Sequence, residues 1–179
     1  MKNILMVSTI VLILILSLIY LSKYTAKKPV NDENLVYKTQ AFSFNYPKKW
    51  NKITENVLST GTEAVFSEIS EDIVQTKLIV TSSSIFDQHF GREKTYKDYV
   101  SELTSQNVQI KSYDLDTLNG IYYIQEDNAG RSMVNVIAAK SPDSTKILSI
   151  IYVSNTSNIE EINSILEPIL KSFKVSDNF

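Results

Sequence analysis

The chain has one histidine, His89, and it stands between Asp87 and Glu93 in FDQHFGREK. An imidazole flanked by carboxylates is the combination that acid–base catalysis and metal binding both draw on. A Ser-His-Asp arrangement would have to be built on His89, yet no serine stands in a G-x-S-x-G or S-x-x-K setting. A metal centre at Asp87, His89 and Glu93 needs more ligands than the local sequence supplies, so His89 is expected to be a solvated loop histidine. YDLDTLNG, Tyr113 to Gly120, places Asp114 and Asp116 like the first and third ligands of a calcium loop. Leu118 then takes the fifth position, Asn119 that of the required glycine and Gln125 that of the bidentate glutamate, so a hairpin explains the segment better. Four scattered glycines make no phosphate-cradling loop. With no cysteine there is no disulfide, thiolate ligand, cysteine nucleophile or lipidated-cysteine anchor. Three acids in EISEDI, Glu68, Glu71 and Asp72, read as a solvated face. Asn155-Thr156-Ser157 matches a glycosylation sequon, at a length that arises by chance. No catalytic, cofactor-binding or metal-ligating residue is therefore assigned, and the expectation is a non-enzyme without a cofactor.

Charge narrows the partners. The chain carries 18 basic and 20 acidic side chains, and residues 1–30 hold four of the former (Lys2, Lys23, Lys27, Lys28) and none of the latter. The remainder is net acidic, local basic patches apart, a poor match to the basic footprint that nucleic-acid binding requires. A hydrophobic fraction of 43% is enough for a packed core.

The elements that would position any site begin with ILMVSTIVLILILSLIYL, Ile4 to Leu21, apolar on every face. Its length as a helix is about 27 Å, close to the hydrocarbon thickness of a bilayer. Tyr20 and Tyr24 sit where interfacial aromatics belong. The run is long for a cleaved signal and no small-x-small site follows, so residues 1–25 are expected to be an uncleaved transmembrane signal-anchor. Residues 26–35 read as a polar tether, and residues 36–179 as a domain outside the cytoplasm.

Within that domain, VYKTQAFSFNY alternates at Phe42, Phe44 and Tyr46, a half-buried strand ended by Pro47. Trp50 is expected to fold back over the end of the sheet as a core residue rather than stand exposed as a ligand platform. After a turn at Ser59–Thr62, EAVFSEIS and then TKLIVTSSSI read as strands, and FDQHFGREK reads as a loop. Thr95 and Asp98 open a helix with Tyr96, Tyr99, Val100 and Leu103 on one face. Asn119-Gly120 gives a hairpin signal between two strand-like runs. SMVNVIAAK and KILSIIYVS are further strands, joined at Ser141-Pro142-Asp143-Ser144. Ser157 and Glu160 form a capping box for a last helix with Ile159, Ile162, Ile165, Leu166, Ile169, Leu170 and Phe173 as its apolar stripe and a kink expected at Pro168. About six or seven strands and two helices without βαβ alternation predict an α+β domain with a largely antiparallel sheet.

The opening F-x-F-x-Y-P-x-x-W (Phe42 to Trp50), the L-N-G followed by aromatics (Leu118 to Tyr123) and the terminal I-L-K-S-F (Ile169 to Phe173) resemble the PsbP-like, or Mog1/PsbP, family across residues 36–175. The resemblance implies an antiparallel sheet between helical layers, an α/β/α sandwich, and is nearest to the anchored bacterial members called PsbP-related. Members of the family are accessory subunits, a small-GTPase-binding factor or envelope proteins, and the fold does not imply catalysis. The expectation is a single-pass cell-membrane protein, held by its N-terminal helix, whose domain outside the cytoplasm binds a protein partner or an envelope component. The alternative is a small-molecule or lipid binding module with a pocket between sheet and helix, lined by some of the ten tyrosines. An enzyme of unknown type is a lesser alternative.

Overall fold

The computed structural model of the chain describes residues 34–58, 61–70, 73–84, 86–87, 92–126, 130–177 and 179, without the side chains of 56–62, 69–75 and 85–92. The expected anchor and most of the tether therefore lie outside the described residues, which belong to one unit, Glu33–Phe179. Among them no helix is long and apolar enough to cross a membrane.

Thr39 decides how the domain starts. Its hydroxyl accepts the Ala41 and Phe42 N–H groups at 3.1 and 3.0 Å, and its own N–H reaches the Phe42 carbonyl at 2.9 Å. The stretch expected to be one strand over 36–46 is thus a hairpin, β1 (Asn34–Lys38) and β2 (Phe42–Pro47). A side-chain-closed turn at a threonine overrides the local preference for extension. β1 also takes up Asn34 and Leu35, the end of the expected tether.

β3 (Asn51–Leu58) and β4 (Gly61–Ser70) follow as an antiparallel pair, then β5 (Ile73–Ser84). The segment expected to be a loop forms a short pair, β6 (Phe86–Asp87) and β7 (Arg92–Glu93). Helix α1 (Tyr96–Ser105) starts at the expected capping box, Thr95 with Asp98. Its first free N–H groups are taken from outside the helix: Tyr96 donates to the Ser144 carbonyl and Lys97 to that of Pro142, both at 2.8 Å. β8 (Lys111–Ser112), β9 (Asn119–Glu126), β10 (Ser132–Ala139) and β11 (Lys146–Ser154) complete the large sheet. Helix α2 (Ile159–Lys171) continues past Pro168, and β12 (Lys174–Val175) returns to β2. The α2 cap is Asn158, whose side chain accepts from Glu160 and Glu161 at 3.0 and 3.4 Å, not the expected Ser157.

The β8–β9 hairpin exists, but its turn is not at Asn119-Gly120. The chain reverses at Asp116-Thr117, between Leu115 and Leu118, which exchange backbone hydrogen bonds at 3.0 Å. Asp116 takes the left-handed conformation there, φ 54°. Gly120 lies inside β9, where a Cβ would come within 2.4 Å of the Tyr113 carbonyl oxygen. The glycine serves close strand approach rather than reversal.

The large sheet has seven antiparallel strands in the order β3-β4-β5-β11-β10-β9-β8; β1-β2-β12 form a second sheet of three. Strand alternation sends neighbours to opposite faces. On one face α1 packs Tyr96 and Leu103 with Ile121, Tyr123, Ile137, Ala139 and Ile147, and the Tyr99 and Tyr123 hydroxyls meet at 2.9 Å. On the other face α2 and the small sheet cover Phe66, Leu78, Val80, Val136, Leu148, Ile150 and Tyr152. Phe44 is the hub: its ring stacks on Phe173 at 4.6 Å and meets Phe66 edge-on at 5.4 Å. Trp50 is 2% exposed and stacked over Tyr152 at 6.0 Å, a core residue and no ligand platform.

The hairpin turn is tied to the end of the chain. The Asp116 carboxylate accepts the Val175 N–H at 2.8 Å and the Lys174 ammonium at 3.3 Å. The backbone donor and then the lysine hold its pKa below the ordinary 3.8. A carboxyl depressed in the folded state contributes stability above its unfolded pKa and loses it as pH falls through the folded value. Asp116→Asn keeps an acceptor and tolerates positive φ, so it removes the charge alone. At neutral pH the expected cost is under about 1 kcal/mol, discounted for solvent screening. Urea midpoints measured from pH 7 down to pH 2 are expected to fall less steeply below about pH 4 in the variant than in the parent.

Candidate functional site

A groove opens where α2 overhangs the β8–β9 edge. Along α2, Ile159, Asn163, Leu166, Glu167 and Leu170 recur at helical spacing and form one flank. Alternation on β9 sends Tyr122 and Ile124 toward α2 while Ile121 and Tyr123 face α1. Lys111, Ser112 and Tyr113 close the other flank, and the enclosed volume is about 300 Å³. Leu166 and Leu170 are core residues, so the floor is continuous with the core. Ile124 and Ile159 are 38% and 37% exposed, large apolar side chains that folding leaves half in water.

The polar groups are few. The Tyr113 and Tyr122 rings lie 6.3 Å apart, and the Tyr122 hydroxyl donates a long hydrogen bond, 3.4 Å, to Asn163 Oδ1. Burial raises both phenol pKa values; Glu167 adds to the effect at Tyr113, and Tyr113 adds to it at Tyr122. Both hydroxyls therefore stay protonated at neutral pH, as hydrogen-bonding groups rather than bases. Glu167 is paired with Lys171 at 2.7 Å, one turn on. Lys111 is exposed at the end of the short strand. The arrangement offers an apolar trough, donors and acceptors at its sides and one ammonium at its end.

The residues singled out in the sequence do not converge here. His89 lies outside the described residues, Asp87 is described only in its backbone, and Glu93 is exposed. Asp114 is exposed, and Asp116 is bound to the C-terminal strand, so the calcium-loop pattern is a turn and its latch. Glu68 pairs with Lys49 at 2.9 Å, while Glu71 and Asp72 lie outside the described residues. Asn155-Thr156-Ser157 leads into the α2 cap, where the Asn158 N–H donates to the Thr156 hydroxyl at 3.1 Å. Among the described residues no group of three or more His, Asp or Glu side chains could hold a metal ion.

Among the described tyrosines, Tyr113 and Tyr122 line the groove. Sequence reasoning placed Ile159, Leu166 and Leu170 on the apolar face of the last helix and Tyr113 at the hairpin, but assigned none of them to a site. The available signal was Ile159 at the first position of α2, where a helix face runs past the core it covers. No protein-family model matches the chain, and no curated protein does.

Proposed function

We propose that the chain is a single-pass cell-membrane protein whose residues 36–179 form a non-catalytic binding domain outside the cytoplasm, holding a protein partner in the groove between α2 and the β8–β9 edge. The observation that carries this reading is the half-exposed pair Ile124 and Ile159 in that groove, an apolar surface of the kind that protein partners cover. The apolar run Ile4–Leu21 supports the anchor, and the acidic balance after residue 30 supports a partner other than nucleic acid. The F-x-F-x-Y-P-x-x-W opening, with a sheet covered by α1 on one face and by α2 on the other, supports membership of the PsbP-like family and its α/β/α sandwich.

The test is affinity capture of the tagged full chain from crosslinked membranes, with the anchor-deleted chain as control. One partner held by both forms is the expected result. A partner held by the full chain alone would move recognition to Ile4–Leu21, and no reproducible partner in either would refute the reading. A small molecule or lipid in the same groove is the second reading, favoured by its volume and by the two protonated phenols at its side.

A further inference from the structure

The three most exposed large apolar side chains among the described residues all lie near the start of the domain: Val36 at 67%, Ile53 at 52% and Leu35 at 40%. Leu35 and Val36 point to opposite faces of β1 and both are exposed, so the strand begins as an apolar tip. Asn34 pairs with Pro47, which sets Lys48 and Lys49 beside that tip, both exposed. Their turn is closed by the Trp50 N–H on the Pro47 carbonyl at 2.9 Å. The Lys49 ammonium meets Glu68 at 2.9 Å, and its side chain is still 54% exposed. β3 joins the same corner: the Tyr37 hydroxyl donates to Glu55 at 2.9 Å, and the Lys52 ammonium stands 5.8 Å from the Tyr37 ring centre. Ile53, between those two β3 residues in sequence, falls at the bulge and has no partner in the β4 register.

We infer that this corner rests on the anionic lipid surface of the membrane that holds the anchor, with Leu35, Val36 and Ile53 at the headgroup boundary and the Lys48 and Lys49 ammonium groups on lipid phosphates. The inference rests on the reading above, that Ile4–Leu21 spans the bilayer, and adds a surface that the domain itself presents to the lipid. Chain length keeps the start of β1 near the bilayer: residues 22–33 extend at most about 40 Å. Charge selects the side that approaches. Residues 1–54 carry eight lysines and two acids, whereas residues 55–179 carry ten basic and eighteen acidic side chains. Residues 34–54 alone hold four lysines and no acid. An anionic leaflet attracts the first part and repels the second. The apolar tip then enters the boundary between headgroups and acyl chains, and the lysine stems lie along it with their ammonium groups in the phosphate layer. β3 and β8 are opposite edges of the large sheet, so a domain seated on the β1–β3 corner keeps the groove beside β8 at the far edge, open to a protein partner.

The chain has no cysteine, so Leu12→Cys, Val36→Cys, Ile53→Cys and Lys97→Cys each give a single site for a nitrobenzoxadiazole label. Each labelled full chain is reconstituted in vesicles of equal parts phosphatidylcholine and phosphatidylglycerol, with and without lipid spin-labelled near the headgroup or at the end of the acyl chain. The headgroup spin label is expected to quench position 36 and also position 53, which the tether alone does not bring to lipid. Position 97, exposed on α1, is expected to keep its emission. Lys48→Glu with Lys49→Glu is expected to restore most of the emission at 53; both positions are exposed, and circular dichroism checks that each variant folds. No quenching at 53, equal quenching at 97, or quenching that survives the double reversal unchanged would overturn the inference. A blue shift at 36 without lipid quenching would mean that a second copy of the chain covers the strand, and would overturn it too. Position 12 separates the two readings. If the acyl-chain spin label quenches 12 while 53 stays bright, the anchor stands and the lipid-facing corner falls; if 12 stays bright as well, both fall.

Discussion

Phe44→Ala is expected to cost about 3–5 kcal/mol of folding free energy. The ring is 1% exposed and touches both sheets at once. It stacks on Phe173 with the planes 10° apart, meets Phe66 at 79° and lies 5.5 Å from Tyr37. Phe173 follows α2, Phe66 belongs to the large sheet and Tyr37 to the small one, so the cavity would open where three elements meet and none can close it alone. Each aromatic pair lost adds to the transfer cost of the ring itself. Trp50 is the only tryptophan and is buried, so its fluorescence reports the unfolding of this domain in the full chain. A urea midpoint within about 1 kcal/mol of the parent would mean that the β1–β2 hairpin does not close the core.

Gly120→Ala is expected to cost about 3 kcal/mol, although it adds a single methyl group. The new Cβ would meet the Tyr113 oxygen at 2.4 Å, the Ala138 Cβ at 3.1 Å and the Ile137 oxygen at 3.2 Å. Two of those atoms are backbone, one on either side of β9, and backbone cannot yield cheaply. Asn119→Ala beside it is expected to change stability by less than about 0.5 kcal/mol, since its side chain is exposed and reaches the Lys140 carbonyl only at 3.5 Å. Were Asn119-Gly120 the reversal itself, both residues would matter and the glycine would matter through its conformation. Equal effects in urea denaturation would restore that turn. Relief of the clash would also push Tyr113 outward, so Gly120→Ala should disturb the groove as well as the core.

The legible parts of the fold were apolar runs rich in β-branched residues, and a helix with its own start signal. β5, β10 and β11 are such runs, β10 buried at every position but one, and α1 carries its start signal in Thr95 and Asp98. β3 was illegible because it is an edge strand. Its charged Lys52 and Glu55 suit an exposed edge, and a bulge between Lys52 and Thr54 breaks its two-residue period. The β1–β2 reversal was hidden in a threonine hydroxyl that closes a turn with no glycine or proline to mark it. Asn119-Gly120 misled because the same dipeptide that favours a type I′ turn also fits a crowded strand. The groove was least legible of all. Lys111, Ile124 and Ile159 come from three elements, and their meeting depends on β8 stopping after two residues, which no local pattern announces.

The most direct measurement places p-benzoylphenylalanine at position 159 of the full chain in its own membranes, and at position 97 on α1 as the control. Both side chains are exposed; Ile159 lines the groove, whereas Lys97 lies on the helix that covers the other face of the sheet. Irradiation is expected to give a protein adduct from position 159 and none from position 97, with the crosslinked partner identified by mass spectrometry. Adducts of equal yield at both positions, or none at 159, would contradict the groove as the binding site.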